Sequence, residues 1–163
     1  MAAAKESGKS FNIKAMTVAL VLMRIFLGVK FAIAGYQKWD WIGTPTLSRM
    51  LASWVDSCPF GFYRSFLQHT VVPHGTLFTY LVVFGELCIG ISLTLGLLTR
   101  FSALVAIILS GNFLLASWHL GPASQGINEA IILISLALLI TGAGRVAGID
   151  QYLARTRPRW ILW

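Results

Sequence analysis

Apolar residues run along this chain in four long blocks, broken only by short polar or glycine- and proline-bearing segments. The blocks cover residues 16–38, 77–99, 101–118 and 127–143, and each is close to the ~20 residues that cross a bilayer as a helix. Little more than Thr99-Arg100 parts the second block from the third, and Gly121-Pro122 marks the turn between the third and fourth. Connections this short predict antiparallel helical hairpins. The pattern therefore predicts an all-α membrane four-helix bundle.

The segment at 39–76 is the longest connection and is unusually aromatic for a linker. Thr44-Pro45 offers a cap followed by a first-turn proline, and Leu47, Met50, Leu51, Trp54 and Val55 follow at helical spacing. Phe62, Tyr63, Phe66 and Leu67 repeat the pattern. Two short amphipathic helices are expected here on the outer bilayer face. They serve either to seal the bundle or to cover an outward-facing site as a lid.

Composition narrows the picture further. Of 163 residues, 56% are hydrophobic and 12% charged, with a mean hydropathy of +0.74; so few charges build no water-facing shell. One membrane domain spanning 1–163 is expected, with tails at 1–15 and 146–163 and the outer loop at 39–76. The net charge of +7 does not point to nucleic acid, because the basic residues flank apolar blocks and form no continuous basic face with stacking aromatics. The expected partner is the lipid bilayer.

Charge asymmetry sets the orientation. Lys5, Lys9, Lys14, Arg100, Arg145, Arg155, Arg157 and Arg159 share one side if both termini do, leaving Lys38, Arg49 and Arg64 opposite, near Asp40 and Asp56. The excess of Lys and Arg on cytoplasmic loops then places both termini in the cytoplasm. Lys5 to Lys14 ahead of an apolar stretch ending in Ala32-Ile33-Ala34 also suggests a signal peptide, but Arg24 and Lys30 interrupt its core, so the first span is read as retained. Arg155 to Trp160, with Trp163, reads as an interfacial anchor.

Cys58 and Cys88 form no disulfide framework, and no CxxC or Cys/His metal spacing is present, so both read as packed thiols. Phosphate loops, HExxH and nucleophile elbows are missing as well. Chemistry must therefore come from polar residues inside the spans, where a charge costs about 2.5–3.5 kcal/mol and normally faces the bundle or a wet cavity.

Arg24, Lys30 and Glu86 bear that cost. Arg24, Gly28, Phe31, Gly35 and Lys38 fall on one stripe of span one, where glycines permit close helix approach. Thr79, Glu86, Gly90, Leu97 and Arg100 do so in span two, and Val105, Asn112 and His119 in span three. Counting rise per residue from the cytoplasmic ends puts Lys30 and Glu86 at one level, Asn112 slightly below and Arg24 roughly one and a half turns further in. Glu86 is thus the expected counter-ion of Arg24, of Lys30, or of both. A buried Arg–Glu pair either fixes helix register alone or serves chemistry. Lys30, about 120° from the Arg24 stripe, has the option of snorkelling. Asn112 reads as an interhelical hydrogen bond, and His119 as an interfacial histidine or a proton relay. With Glu129 beside Asn128, His119 lies nearer the outer surface, so the polar track opens outward.

Several motifs in order then carry a family resemblance. Arg24-x-x-x-Gly28, Ala34-Gly35-x-x-Lys38, Gly85-Glu86-Leu87-x-x-Gly90, Leu95-Gly96-Leu97-Leu98-Thr99-Arg100 and Gly142-Ala143-Gly144-Arg145 with Asp150 resemble the DoxX/DoxD membrane proteins. Val72-Pro73-His74 and Asn112-x-Leu114-Leu115-Ala116 are similar to the DoxD branch, the small subunit of thiosulfate:quinone oxidoreductase. The resemblance implies a four-helix bundle in a bacterial or archaeal inner membrane and, for DoxD, electron transfer from thiosulfate to quinone with tetrathionate as product. Lys30 departs from the apolar residue expected at its position.

On this resemblance Glu86 and Arg24 are the candidate catalytic residues, and Lys30, Lys38, His74, Asn112 and His119 the candidate substrate-binding ones. Arg24, Lys30 or the pair Lys38 and His74 would hold the thiosulfate dianion by charge-assisted bonds. Glu86 would deliver protons to a quinone lodged in an apolar slot with a few polar anchors. Quinone is the expected cofactor, and no motif encodes a metal, flavin or haem, so another membrane-complex subunit is the expected partner. The alternatives are a non-catalytic accessory subunit of a larger respiratory or photosynthetic complex and a carrier of small molecules or lipids.

The charge asymmetry generates a topological prediction. Reporters fused after Trp163 and inside 48–69 should report opposite compartments, the first cytoplasmic; matching compartments would remove the assigned orientation.

Overall fold

The computed structural model describes residues 2–156, with side chains from residue 15 onward. The chain runs α1 (Ala2–Gln37), a 3-10 turn (Trp39–Trp41), α2 (Thr46–Val55), α3 (Gly61–Phe66) continuing into a π-helical turn (Leu67–Val71), and α4 (Gly75–Leu95). After these come α5 (Thr99–Ala116), a 3-10 turn (Trp118–Leu120), α6 (Pro122–Thr141), a 3-10 turn (Ala143–Arg145) and α7 (Ile149–Thr156). No strand occurs among the described residues. Four segments, Ala15–Trp41, Gly75–Leu95, Thr99–Ala116 and Pro122–Thr141, are long and apolar enough to cross a membrane. The expected all-α four-span bundle is the fold of this chain. Of the expected C-terminal anchor, Arg157, Arg159, Trp160 and Trp163 lie outside the described residues.

Two boundaries differ from the sequence reading for local reasons. The last span starts at Pro122, five residues before its apolar block, because proline suits the first helical position, where its missing N–H costs nothing. In the outer loop α2 starts at Thr46, with Pro45 in the capping position. Thr44 does not cap it; its hydroxyl donates back to the Trp41 carbonyl at 2.9 Å and closes the preceding turn.

Glycine sets the helix packing. A methyl on Gly28 would stand 2.6 Å from the Thr94 backbone nitrogen, one on Gly90 2.5 Å from that of Ala32, and one on Gly35 3.0 Å from that of Leu87. α1 therefore lies backbone to backbone against α4, antiparallel and in fixed register, by the close approach that small residues allow. α5 packs along α6, without a glycine at the contact. The buried face of α5 is Ser102, Ala103, Ala106 and Ser110, not the expected stripe of Val105, Asn112 and His119. Small residues are needed where α5 meets α6, and Val105 and Asn112 turn instead toward a space between α4 and α5.

At the loop end of the bundle, Leu47, Leu51, Val55, Cys58, Leu67 and Val71 from the short helices join Val82 and Ala116 in one apolar cluster. The amphipathic helices thus fold down onto α4 and α5 and seal that end. The terminal end, which carries α7, is closed by a polar lock. Both Asp150 carboxylate oxygens accept backbone N–H bonds at the start of α5, from Leu98 at 2.6 Å and Thr99 at 2.8 Å, where a helix N-terminus favours an anion. Leu98 has a φ of 49°, a left-handed conformation that costs a non-glycine residue about 1–2 kcal/mol. Gly96, two residues earlier, takes the same region at a φ of 67° and ends α4. The Asp150 N–H in turn donates to the Gly96 carbonyl at 2.8 Å.

This lock predicts the outcome of two substitutions. Asp150→Ala deletes two charge-assisted bonds to buried donors and should cost about 3 kcal/mol, read as a lower unfolding temperature in detergent. Asp150→Asn should cost nearly as much, because its NH2 group would have to face the N–H of Leu98 or Thr99. Full stability of Asp150→Asn would show that the carboxylate does not cap α5.

Candidate functional site

The α1–α4 register decides which charges meet. With Gly28 against Thr94 and Gly35 against Leu87, Arg24 reaches the turn after α4 and Lys38 reaches the middle of α4. Lys38 Nζ donates to Glu86 Oε1 at 2.8 Å and to Oε2 at 2.7 Å. It also donates to the Ala34 carbonyl at 3.4 Å and sits 5.8 Å and 5.7 Å from the ring centroids of Trp41 and Phe113, within cation–π range. Glu86 is buried at 4% exposure.

The expected pairing of Glu86 with Arg24 or Lys30 is therefore corrected. Arg24 lies about twelve residues further along the register, ~18 Å at 1.5 Å per residue, beyond the reach of any side chain. Its guanidinium is buried at 1% exposure and donates to three backbone carbonyls, those of Ala143 at 3.1 Å, Val146 at 3.3 Å and Ala147 at 2.9 Å. Arg24 belongs to the lock beside Asp150. Lys30 opposes the last turn of α4 rather than Glu86, and it is exposed on the outer face of α1 with Nζ 5.8 Å from the ring centroid of Phe26.

The ion pair faces a cavity of about 260 Å³ lined by Lys38, Trp54, Glu86, Phe113, Ser117, Leu120, Ser124 and Asn128. Ser117 and Ser124 hydroxyls lie 2.9 Å apart, and Asn128 Nδ2 donates to the Ser124 carbonyl at 2.9 Å. A hydrogen-bonding wall thus runs along one side. His119 packs edge-on against Trp54 at 5.3 Å between centroids, and its Nδ1 is buried without a protein partner. His74 is apart from this cavity: it is exposed and its Nδ1 lies 2.8 Å from the Thr70 carbonyl. The expected anion site between Lys38 and His74 is not formed.

A second, larger cavity of about 370 Å³ opens between α4 and α5 beneath the short helices. Its walls are almost wholly apolar, with Leu51, Phe66, Leu67, Phe78, Leu81, Val82, Val105 and Ile108 among them. Its polar lining is Tyr63 and Asn112, and these satisfy each other: the Tyr63 hydroxyl donates to the Asn112 backbone carbonyl at 3.0 Å and lies 3.2 Å from Oδ1. Burial pushes the Tyr63 phenol up to about 12, so it stays a neutral donor at any physiological pH. Asn112 Nδ2 donates within its own helix to Ile108, which makes Asn112 an interhelical tie, as expected. Phe113 lines both cavities, which meet at its ring.

Sequence reasoning thus found Lys38 and Glu86 without pairing them, and it missed Trp54, Phe113, Ser117 and Ser124. The two serines bracket the Gly121-Pro122 turn, seven residues apart, and that spacing across a hairpin was the available signal. Trp54 was read as part of an apolar helical face, and nothing in a string of apolar letters marks Phe113. Among the described residues no group of three His, Cys, Asp or Glu is placed to hold a metal ion.

The pair can be tested without assuming any chemistry. Glu86→Ala strands the half-buried Lys38 ammonium and should destabilise the bundle by about 2–3 kcal/mol, while Lys38→Met with Glu86→Leu should restore most of the loss. Unfolding in detergent measures the cycle, and strictly additive losses would exclude the contact. The cycle between Arg24 and Glu86 should be additive instead.

No solved structure matches this chain. The sequence model of the DoxX family matches residues 19–118, taking in α2 to α5 and all of α1 from Ala19 on, with Arg24, Lys38 and Glu86. The match ends before α6 and covers more than half of the 163 residues. The chain belongs to the DoxX family.

Proposed function

We propose that this DoxX-family bundle is the quinone-side membrane subunit of a redox complex, and that the electrons originate from thiosulfate. The observation that supports the reading best is the Lys38–Glu86 pair, with its carboxylate buried, in a cavity that meets an apolar slot at Phe113. A quinone is an apolar ring with two polar oxygens, and small-molecule sites for such ligands combine apolar walls with a few placed polar groups. Reduction to the quinol takes two electrons and two protons. Glu86 is the candidate proton donor, supplied along the Ser117, Ser124 and Asn128 side of the cavity.

Oxidation of two thiosulfates to tetrathionate releases two electrons, which balances one quinone. That half of the reaction falls to a partner in this proposal, because the Lys38 ammonium already spends its donors on Glu86 and Ala34 and both terminal nitrogens of Arg24 are committed to backbone carbonyls. α6 is the least buried of the four spans, and it offers the face on which such a partner would pack. The same observation favours the second reading, a non-catalytic accessory subunit.

Membranes holding this protein and its partner should reduce a quinone analogue with thiosulfate. Glu86→Gln keeps the hydrogen-bonding shape but passes no proton, and it should slow turnover about 10²-fold while the KM for thiosulfate stays within about twofold. An unchanged rate would reassign Glu86 to structure. A correctly assembled complex with no thiosulfate-dependent quinone reduction would favour the accessory reading.

A further inference from the structure

The 370 Å³ slot is apolar apart from the Tyr63–Asn112 tie, and its size falls within the ~300–1,000 Å³ of small-molecule sites. Its mouth is formed by Leu81 on α4, Ile108 on α5 and Phe66 on α3, all exposed. Leu81 and Ile108 belong to membrane-crossing helices, so this mouth opens sideways into lipid rather than toward water. At the other end the slot stops at Phe113, whose ring centroid lies 5.7 Å from Lys38 Nζ. From mouth to end wall the lining goes from hydrocarbon to the edge of a buried ion pair.

That gradient matches an amphiphile lying lengthwise, with its chain toward the bilayer and its polar ring inward. We infer that the slot holds the hydrocarbon tail of the quinone, which enters laterally between α4 and α5 and leaves its ring against Phe113. The inference rests on the quinone reading of the Lys38–Glu86 cavity and adds to it the ligand class: a tailed, lipid-borne quinone in preference to a tail-free one. The pair of Tyr63 and Asn112 suits this role, because the phenol proton is turned onto Asn112 and not into the slot.

The test uses the full chain in lipid nanodiscs and two probes, a tail-free ubiquinone ring and the same ring with a decyl chain. Quenching of tryptophan fluorescence reads both affinities. The decyl compound should bind at least about tenfold tighter relative to its partition into protein-free nanodiscs, and Val105→Phe and Ile108→Trp, which fill the slot and its mouth, should each bring that ratio toward one. Leu133→Phe, on the exposed face of α6, serves as the folded control. Circular dichroism and unfolding temperature identify any variant that fails to fold, and the second filling variant then carries the comparison. Equal affinities in the unsubstituted protein would overturn the slot assignment and leave the quinone reading standing. A tail preference that survives both filling variants would place the tail elsewhere and overturn it too. Binding of neither probe would overturn both readings. A phospholipid retained by the unsubstituted protein in native mass spectrometry, and lost in both filling variants, would assign the slot to an acyl chain instead.

Discussion

The close antiparallel contact of α1 with α4 governs the rest of the molecule. In a membrane the hydrophobic effect does not press helices together, so packing and small residues decide where they meet. Gly28, Gly35 and Gly90 put backbone against backbone over two turns, and at that distance a slip by one residue would drive side chains into the facing helix. The register then has a single setting. It carries Arg24 to the turn after α4 and Lys38 to Glu86, which separates the two cations that share a stripe on α1 by the whole depth of the site.

The two polar stations so created are of different kinds. Around Arg24 and Asp150 the donors and acceptors are backbone groups, each oxygen of Asp150 receives an N–H, and glycine alone fits at Gly144, where a Cβ would strike Asp150 and Thr99. A cluster of this kind, bonded through backbone and leaving only Arg24 Nε and Thr99 Oγ1 among its buried side-chain atoms without a partner, holds a strained turn. Lys38 and Glu86 bind each other through side chains, beside a cavity and under aromatic rings. A buried ion pair adds little net stability against an apolar replacement, so its presence next to empty space asks for a reason other than folding. That contrast is why the candidate site is placed at Glu86 and why Arg24 is read as structural.

The number and positions of the spans and the buried stripes of α1 and α4 were legible in the sequence because a 3.6-residue period and block length report them directly, whereas α7 was not expected. The partner of Glu86 was not. Depth had been counted from the ends of apolar blocks, as if all four helices began at one plane, but α1 is displaced along α4. Its glycines therefore oppose residues nearer the terminal end of the bundle than that count supposes. A displacement of this kind is set by which small residues nest, and a single sequence does not reveal it. The same limit explains α5: the small face Ser102, Ala103, Ala106 and Ser110 reads as featureless in sequence, whereas the polar letters Asn112 and His119 attract attention although neither is buried. The lock was visible only as motifs. Leu95 to Arg100 and Gly142 to Asp150 were seen as two separate signatures, and the structure joins them through hydrogen bonds from Leu98 and Thr99 to Asp150.

On the proposed reading, the ion pair would also link two events that a quinone site has to link. While Glu86 is ionised it takes both short bonds from Lys38 and fixes the ammonium against Trp41 and Phe113. Loss of its proton to a ligand regenerates this closed arrangement, and gain of a proton from the Ser117–Ser124 side removes the charge that holds Lys38 in place. Lys38 would then keep only a neutral carboxyl oxygen of Glu86 and the long contact to Ala34, and an ammonium that has lost its counter-ion favours a further acceptor. A quinone oxygen near Phe113 would be such an acceptor. On the proposed reading, proton arrival at Glu86 and polarisation of the ligand are therefore one step, performed by a pair whose members lie 48 residues apart in the chain and are brought together by the glycines of α1 and α4.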